Sequence, residues 1–256
     1  MLKILASSLL SCIMLQQSCN SNSDTKINPA ATHSDSTGFA IVELFTSEGC
    51  SSCPPADKLA TVLAEDAAKN GQVVLVLSEH VDYWDRIGWK DPFSSHFFTE
   101  RQGWYAGFFK EESVYTPQMV VNGVTGFVGS DKGKATTGIA AALKATHSSK
   151  KILLSATGPN PDNFTYTVPN VGKNEVLHLV LVQKSAVSKV LRGENAGRTL
   201  THNNVVLDWK TLESPATSGS VKFKNGLVIQ PGEYNVIAFV QDKGSGAISS
   251  AGFLQR

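Results

Sequence analysis

Cys50 and Cys53 stand two serines apart, the spacing at which a dithiol closes and reopens as a disulfide. The apolar run Phe39–Phe45 precedes the pair and reads as a buried strand, and helix-compatible sequence, Ala56–Ala64, follows it. A strand, then Cys-x-x-Cys, then a helix puts Cys50 at a helix N-terminus. Unpaired backbone N–H groups and the positive end of the helix dipole stabilise a thiolate there. That thiolate is the nucleophile of disulfide exchange, and Cys53 is placed to resolve the mixed disulfide.

Other residues bear on this chemistry. Pro117 opens the apolar stretch Gln118–Val121. Cis peptide bonds are essentially confined to X–Pro. Resemblance to thioredoxin-like proteins, where a cis-proline precedes the third strand beside the dithiol, implies a cis Thr116–Pro117 bond that shapes a substrate groove. The alternative is a trans proline that opens an edge strand. Thr116, Trp84 and Gly49 are candidates for that groove. Glu43 lies inside the first apolar strand, and acidic residues are rarely buried without a partner or a task. It either relays protons to Cys53 or pairs with a lysine. Glu48 adjoins the motif and disfavours a neighbouring thiolate unless it is solvated. Ser78–Arg86 gathers titratable and aromatic groups at the end of a second strand. There His80 is a candidate proton acceptor for Cys53, or a metal ligand. The alternative for most of this stretch is a structural cap that satisfies loop backbone. Arg192–His202 is a dense polar loop that holds an anion, docks onto the first half of the chain, or satisfies its own hydrogen bonds.

The elements that must position these groups follow from hydrophobic patterning. A helix is expected over 54–70, begun by two prolines that a first turn tolerates. Gln72–Ser78 reads as a central strand, and a helix is expected over 94–109. Gln118–Val121 and Val124–Val128 flank the hairpin signal Asn122-Gly123. A last helix is expected over 132–146. The order β-α-β-α-β-β-α is that of the thioredoxin fold. Beyond it, short strand-like runs recur at 152–156, 163–168, 175–183, 221–223, 232–241 and 248–254, punctuated by turn signals, as in a small antiparallel sandwich. The expected organisation is a thioredoxin-like domain over 38–148 and a β-rich, sandwich-like domain over 149–256.

Residues 1–18 read as an export signal, with Lys3 before an apolar stretch too short to span a bilayer comfortably. Leu15–Cys19 resembles a lipoprotein processing site, with Cys19 the lipidated residue. The polar run over 19–37 then serves as a flexible tether. Of the 4 cysteines in the chain, this leaves Cys50 and Cys53 in the folded part. One close pair is chemical rather than a structural staple, since stapling gains grow with loop length. Removing Lys3 from 23 Lys and Arg leaves 22, against 22 Asp and Glu. A neutral chain without a basic run argues against nucleic acid as a partner.

Val42–Asp57, His80–Asp85, Tyr115–Val121 and Arg192–His202 together resemble the DUF1223 family of bacterial secreted proteins. The resemblance implies a thioredoxin-like fold and a dithiol site without supplying a substrate. The expected function is a thiol-disulfide oxidoreductase exported to the periplasm or cell envelope, lipid-anchored and acting on protein thiols and disulfides. No organic cofactor is expected, for want of a phosphate-cradling glycine loop. The alternatives are a carrier of Cu(I), a soft ion suited to thiolates, and a non-catalytic envelope binding module.

Overall fold

A computed structural model of the chain describes residues 38–146, 151–156, 163–224 and 232–255. The expected boundary near residue 148 and the N-terminal 1–37, with Cys19, lie outside the described residues.

The first half runs β1 (Phe39–Thr46), α1 (Pro54–Lys69), β2 (Val73–His80), α2 (His96–Phe109), β3 (Gln118–Val121), β4 (Thr125–Val128) and α3 (Lys132–Ala145). Each element starts and stops within two residues of its expected bounds. The reasons are local. Pro54 and Pro55 open α1, where a missing N–H costs nothing, and Gly71 follows it in the left-handed region. Asp131 caps α3 by accepting from the Lys134 amide. Asn122 and Gly123 take positive φ between β3 and β4. A Cβ on Gly123 would come within 1.8 Å of the Gly246 carbonyl oxygen, so the hairpin tip packs against a turn near the end of the chain.

The second half contributes β5 (Leu153–Ala156), β6 (Asn163–Thr167), β7 (Glu175–Lys189), β8 (Thr199–Leu212), β9 (Ser218–Lys222), β10 (Tyr234–Asp242) and β11 (Ile248–Gln255). Here the expectation needs correction. Arg192–His202 is not all loop. Residues 191–198 form the tip of a long β7–β8 hairpin, and Thr199–His202 opens β8. Asn203-Asn204 sits inside that strand with Asn204 at φ 52°, a turn-like residue pair that breaks the alternation by which a strand is recognised.

β8 is the strand that joins the halves. Parallel pairing of β2 with β8 at Ser78 and Val205 makes one mixed sheet in the order β11-β10-β7-β8-β2-β1-β3-β4. A second, antiparallel sheet, β5-β6-β9, faces β7, β10 and β11 across a core that includes Phe164, Tyr234, Leu177 and Leu179. Successive side chains of β1 point to opposite faces. Ala40, Val42 and Leu44 pack with Ala56 and Ala60 of α1 and with α3. Ile41 and Phe45 pack with Phe98 and Tyr105 of α2, and with Val182, Val206 and Phe239 from the second half. The core on the α2 side therefore belongs to both halves. Among the described residues, no helix is long and apolar enough to cross a membrane.

Candidate functional site around the Cys50–Cys53 disulfide

β1 delivers the chain to a short loop, Ser47–Ser52, that ends at α1. Cys50 and Cys53 are bonded to each other, and Cys53 is the N-cap of the helix. The flanking peptide Thr116–Pro117 is cis, as expected. The Cys50 sulfur lies 3.9 Å from the Thr116 carbonyl oxygen, and the Ser52 hydroxyl donates to it across 3.3 Å. Trp84 donates its indole N–H to Thr116 Oγ1 at 2.7 Å. A Cβ on Gly49 would stand 3.1 Å from Trp84 Cβ. The three groove candidates thus meet beside the disulfide. Both cysteines are fully buried, while Ser51 and Ser52 are exposed.

The helix start is poorer in donors than Cys-x-x-Cys alone suggests. Pro54 and Pro55 have no N–H, and the Cys53 amide is already bonded to the Cys50 carbonyl at 3.2 Å. The Ser51 amide donates to Glu194 Oε2 at 2.9 Å. The field of the helix remains, with fewer N–H groups to direct it.

The β7–β8 hairpin tip binds this loop directly. Asn195 is fully buried, and its side-chain amide donates to the carbonyls of Glu48 (2.8 Å) and Cys50 (2.9 Å). Arg198 donates to Asn195 Oδ1 at 2.7 Å and so fixes which way the amide points. Of the three readings of the Arg192–His202 segment, docking onto the first half is seen, with the Arg198–Asn195 bond satisfied inside the loop.

Beneath the loop lies a buried cluster of acids and imidazoles. Glu48 is fully buried rather than solvated. It accepts from Trp89 Nε1 at 2.7 Å and from the Ser188 hydroxyl at 3.1 Å, and its other oxygen is 3.2 Å from His202 Nε2. His80 Nδ1 is 2.7 Å from Asp91 Oδ2, an oxygen that also accepts from the Glu48 amide. The His80 and His202 rings meet edge to face at 4.7 Å. Asp57 accepts from the Thr46 hydroxyl at 2.9 Å, and its second oxygen is 3.8 Å from His202 Nδ1. Burial opposes a charge on His80, but Asp91, then Asp57 and Glu48, outweigh it and raise the imidazole pKa. Burial likewise works to raise the Asp91 carboxyl, yet His80 and the amides of Glu48 and Phe93 hold it below its ordinary value. His80 Nε2 and His202 Nδ1 are buried without a hydrogen bond.

Glu43 joins a different network. It faces α2, away from the face that packs on α1, and its two oxygens accept from Arg101 and Tyr105. Arg101 also donates to Gln241 at 3.0 Å and lies 4.4 Å from the ring centre of Trp209. The pairing alternative for Glu43 is therefore occupied, by arginine rather than lysine. Glu79, on the neighbouring strand β2 and on the same face, is 3.8 Å from Arg101 and fully buried. Burial, and then Glu43, push its carboxyl well above the usual range against the pull of Arg101.

The model of DUF1223, a protein family of unknown function, matches residues 41–241. The chain belongs to this family. Among solved structures it is similar to protein AGR_C_4864 from Agrobacterium tumefaciens, with 26% identity over 84% of this chain and 93% of that one and a TM-score of 0.66. It is also similar in fold to HBP35 of Porphyromonas gingivalis, with 17% identity over 86% and 75% of the two chains and a TM-score of 0.56. No curated protein matches it.

In this DUF1223 member the dithiol, Thr116, Pro117, Trp84 and Gly49 come together, and His80 joins the cluster below them. Glu43 does not. Asp57, Asp91, Asn195 and the packing role of His202 are absent from the sequence reading. Asp57 alone carried a usable signal, since a residue four after Cys53 shares its helix face. Among the described residues, no three His, Cys, Asp or Glu side chains converge to hold a metal ion.

Proposed function

We propose that this protein is a thiol-disulfide oxidoreductase of the cell envelope, thioredoxin-like in its first half, anchored through Cys19 and acting on protein thiols and disulfides. The observation that carries the reading is the Cys50–Cys53 disulfide at the start of α1, flanked by Thr116, Pro117 and Trp84. Cys50 is the attacking sulfur, because it abuts Thr116 and the exposed serines, and Cys53 resolves the mixed disulfide. A bond closing a loop this short adds little entropic stability, which favours chemistry over stapling. Since both cysteines are buried, exchange requires local opening of the loop whose carbonyls Asn195 holds.

The test is the reduction potential of the pair against glutathione, read by thiol trapping in the purified protein. A value of roughly −120 to −270 mV belongs to working oxidoreductases. A value well below about −300 mV is that of an inert structural bond and would sink the reading.

A further inference from the structure

We propose that Asp57 and His202 form the proton-holding pair that serves Cys53 during disulfide exchange, so that the second half of the chain completes the redox centre. The proposal rests on the oxidoreductase reading above.

Cys53 and Asp57 are one helical turn apart on the same face of α1, and the Asp57 amide bonds the Cys53 carbonyl at 3.1 Å. The Asp57 side chain is 9% exposed. One oxygen is occupied by Thr46, and the other faces His202 Nδ1 at 3.8 Å, a nitrogen that makes no hydrogen bond. The opposite ring nitrogen faces Glu48 at 3.2 Å. One imidazole thus lies between two carboxylates, and closing the 3.8 Å gap to Asp57 would complete a path Asp57–His202–Glu48 for a proton between α1 and the loop before Cys50. The other titratable groups facing this pair are His80, edge-on to His202, and Asp91, bonded to His80. Burial raises the Asp57 carboxyl above its ordinary value, against the pull of His202 and His80, and a raised carboxyl is a better proton acceptor.

The exchange balances as follows. A substrate thiolate attacks Cys50 Sγ and forms a mixed disulfide. The Cys50–Cys53 bond breaks, its electron pair goes to Cys53 Sγ, and protonated Asp57 gives that sulfur its proton. A second substrate thiolate then displaces Cys50 as thiolate. The substrate dithiol is oxidised and the protein pair is reduced. In the reverse direction the Asp57 carboxylate takes the Cys53 proton as Cys53 attacks the mixed disulfide. Asp57 and His202 are positioning residues in this scheme, acting through Cys53.

The test uses the full chain, reduced and mixed with 5,5′-dithiobis(2-nitrobenzoate) at pH 5.5 to 9.5. Cys50 releases one equivalent of the coloured thiolate, and attack by Cys53 on the mixed disulfide releases the second. At pH 6.5, Asp57→Asn is expected to slow the second release about a hundredfold. The gap should close near pH 9, where a cysteine thiol ionises unaided. His202→Gln, on a separate strand, is expected to slow it roughly tenfold with the same pH shape, and it decides the matter if Asp57→Asn does not fold. A folded variant with the wild-type second phase at pH 6.5, or one slowed equally at every pH, overturns the proposal. Wild-type protein that never releases the second equivalent sinks the oxidoreductase reading instead.

Discussion

Glu43 and Glu48 both lie fully buried near the dithiol in sequence, yet they serve unrelated networks. The pleat turns Glu43 to Arg101, whereas the loop after β1 folds Glu48 under the cysteines. Burying such groups is costly unless each is paired, and the pairing sets a pH signature. The raised His80 stabilises the fold fully below the ordinary imidazole value of 6.5, and that contribution is lost as pH rises through its higher folded value. The lowered Asp91 stabilises above the ordinary carboxyl value of 3.8, and that contribution is lost as pH falls through its lower folded value. The pair therefore contributes in full between those two values. Asp91→Asn should cost about 3–5 kcal/mol near pH 5.5 and clearly less near pH 9. Urea unfolding at the two pH values measures the difference, and equal losses would refute the assignment.

At the scale of elements, the β7–β8 hairpin matters most to the site. Its tip holds the dithiol loop through Asn195 and Glu194, and its strands supply Ser188 and His202 to Glu48. Asn195→Ala strands two backbone carbonyls that a buried amide now satisfies. Each such loss costs about 1–3 kcal/mol. The urea midpoint should fall accordingly, and dithiothreitol should reduce the disulfide faster as the cover loosens. A lower midpoint with an unchanged reduction rate would show that the tip stabilises the loop without controlling access to it.

For the whole molecule, the shared core is decisive. Phe39, Ile41, Phe45 and Leu77 from the first half pack with Val180, Val206, Ile237 and Phe239 from the second. β2 has β8 as its neighbour on the side away from β1. Residues 38–146 expressed alone would expose both that apolar face and the free edge of β2, the two features that drive association. They should lack a cooperative unfolding transition and should self-associate. A monomeric, cooperatively unfolding fragment, shown by sedimentation and thermal melts, would contradict this.

Local rules decided much of this protein. Alternation and apolar runs marked β1, β2 and β3, prolines marked the start of α1, Asn122-Gly123 marked the β3–β4 turn, and Cys50, Cys53 and Pro117 marked the candidate site. Each of these signals lies within a few residues of what it determines. The tertiary structure alone decided which of the two buried glutamates joins the site, because strand parity and loop path sent Glu43 to α2 and Glu48 to the His202 cluster. It alone brought His202 and Asn195 to the site from about 150 residues away. That approach depends on β8 pairing beside β2, a non-local contact whose strand carries Asn203-Asn204 and therefore no clean period. Long-range pairing of this kind leaves no pattern in any short window of sequence, since its energy comes from burial shared between segments rather than from the preference of either one.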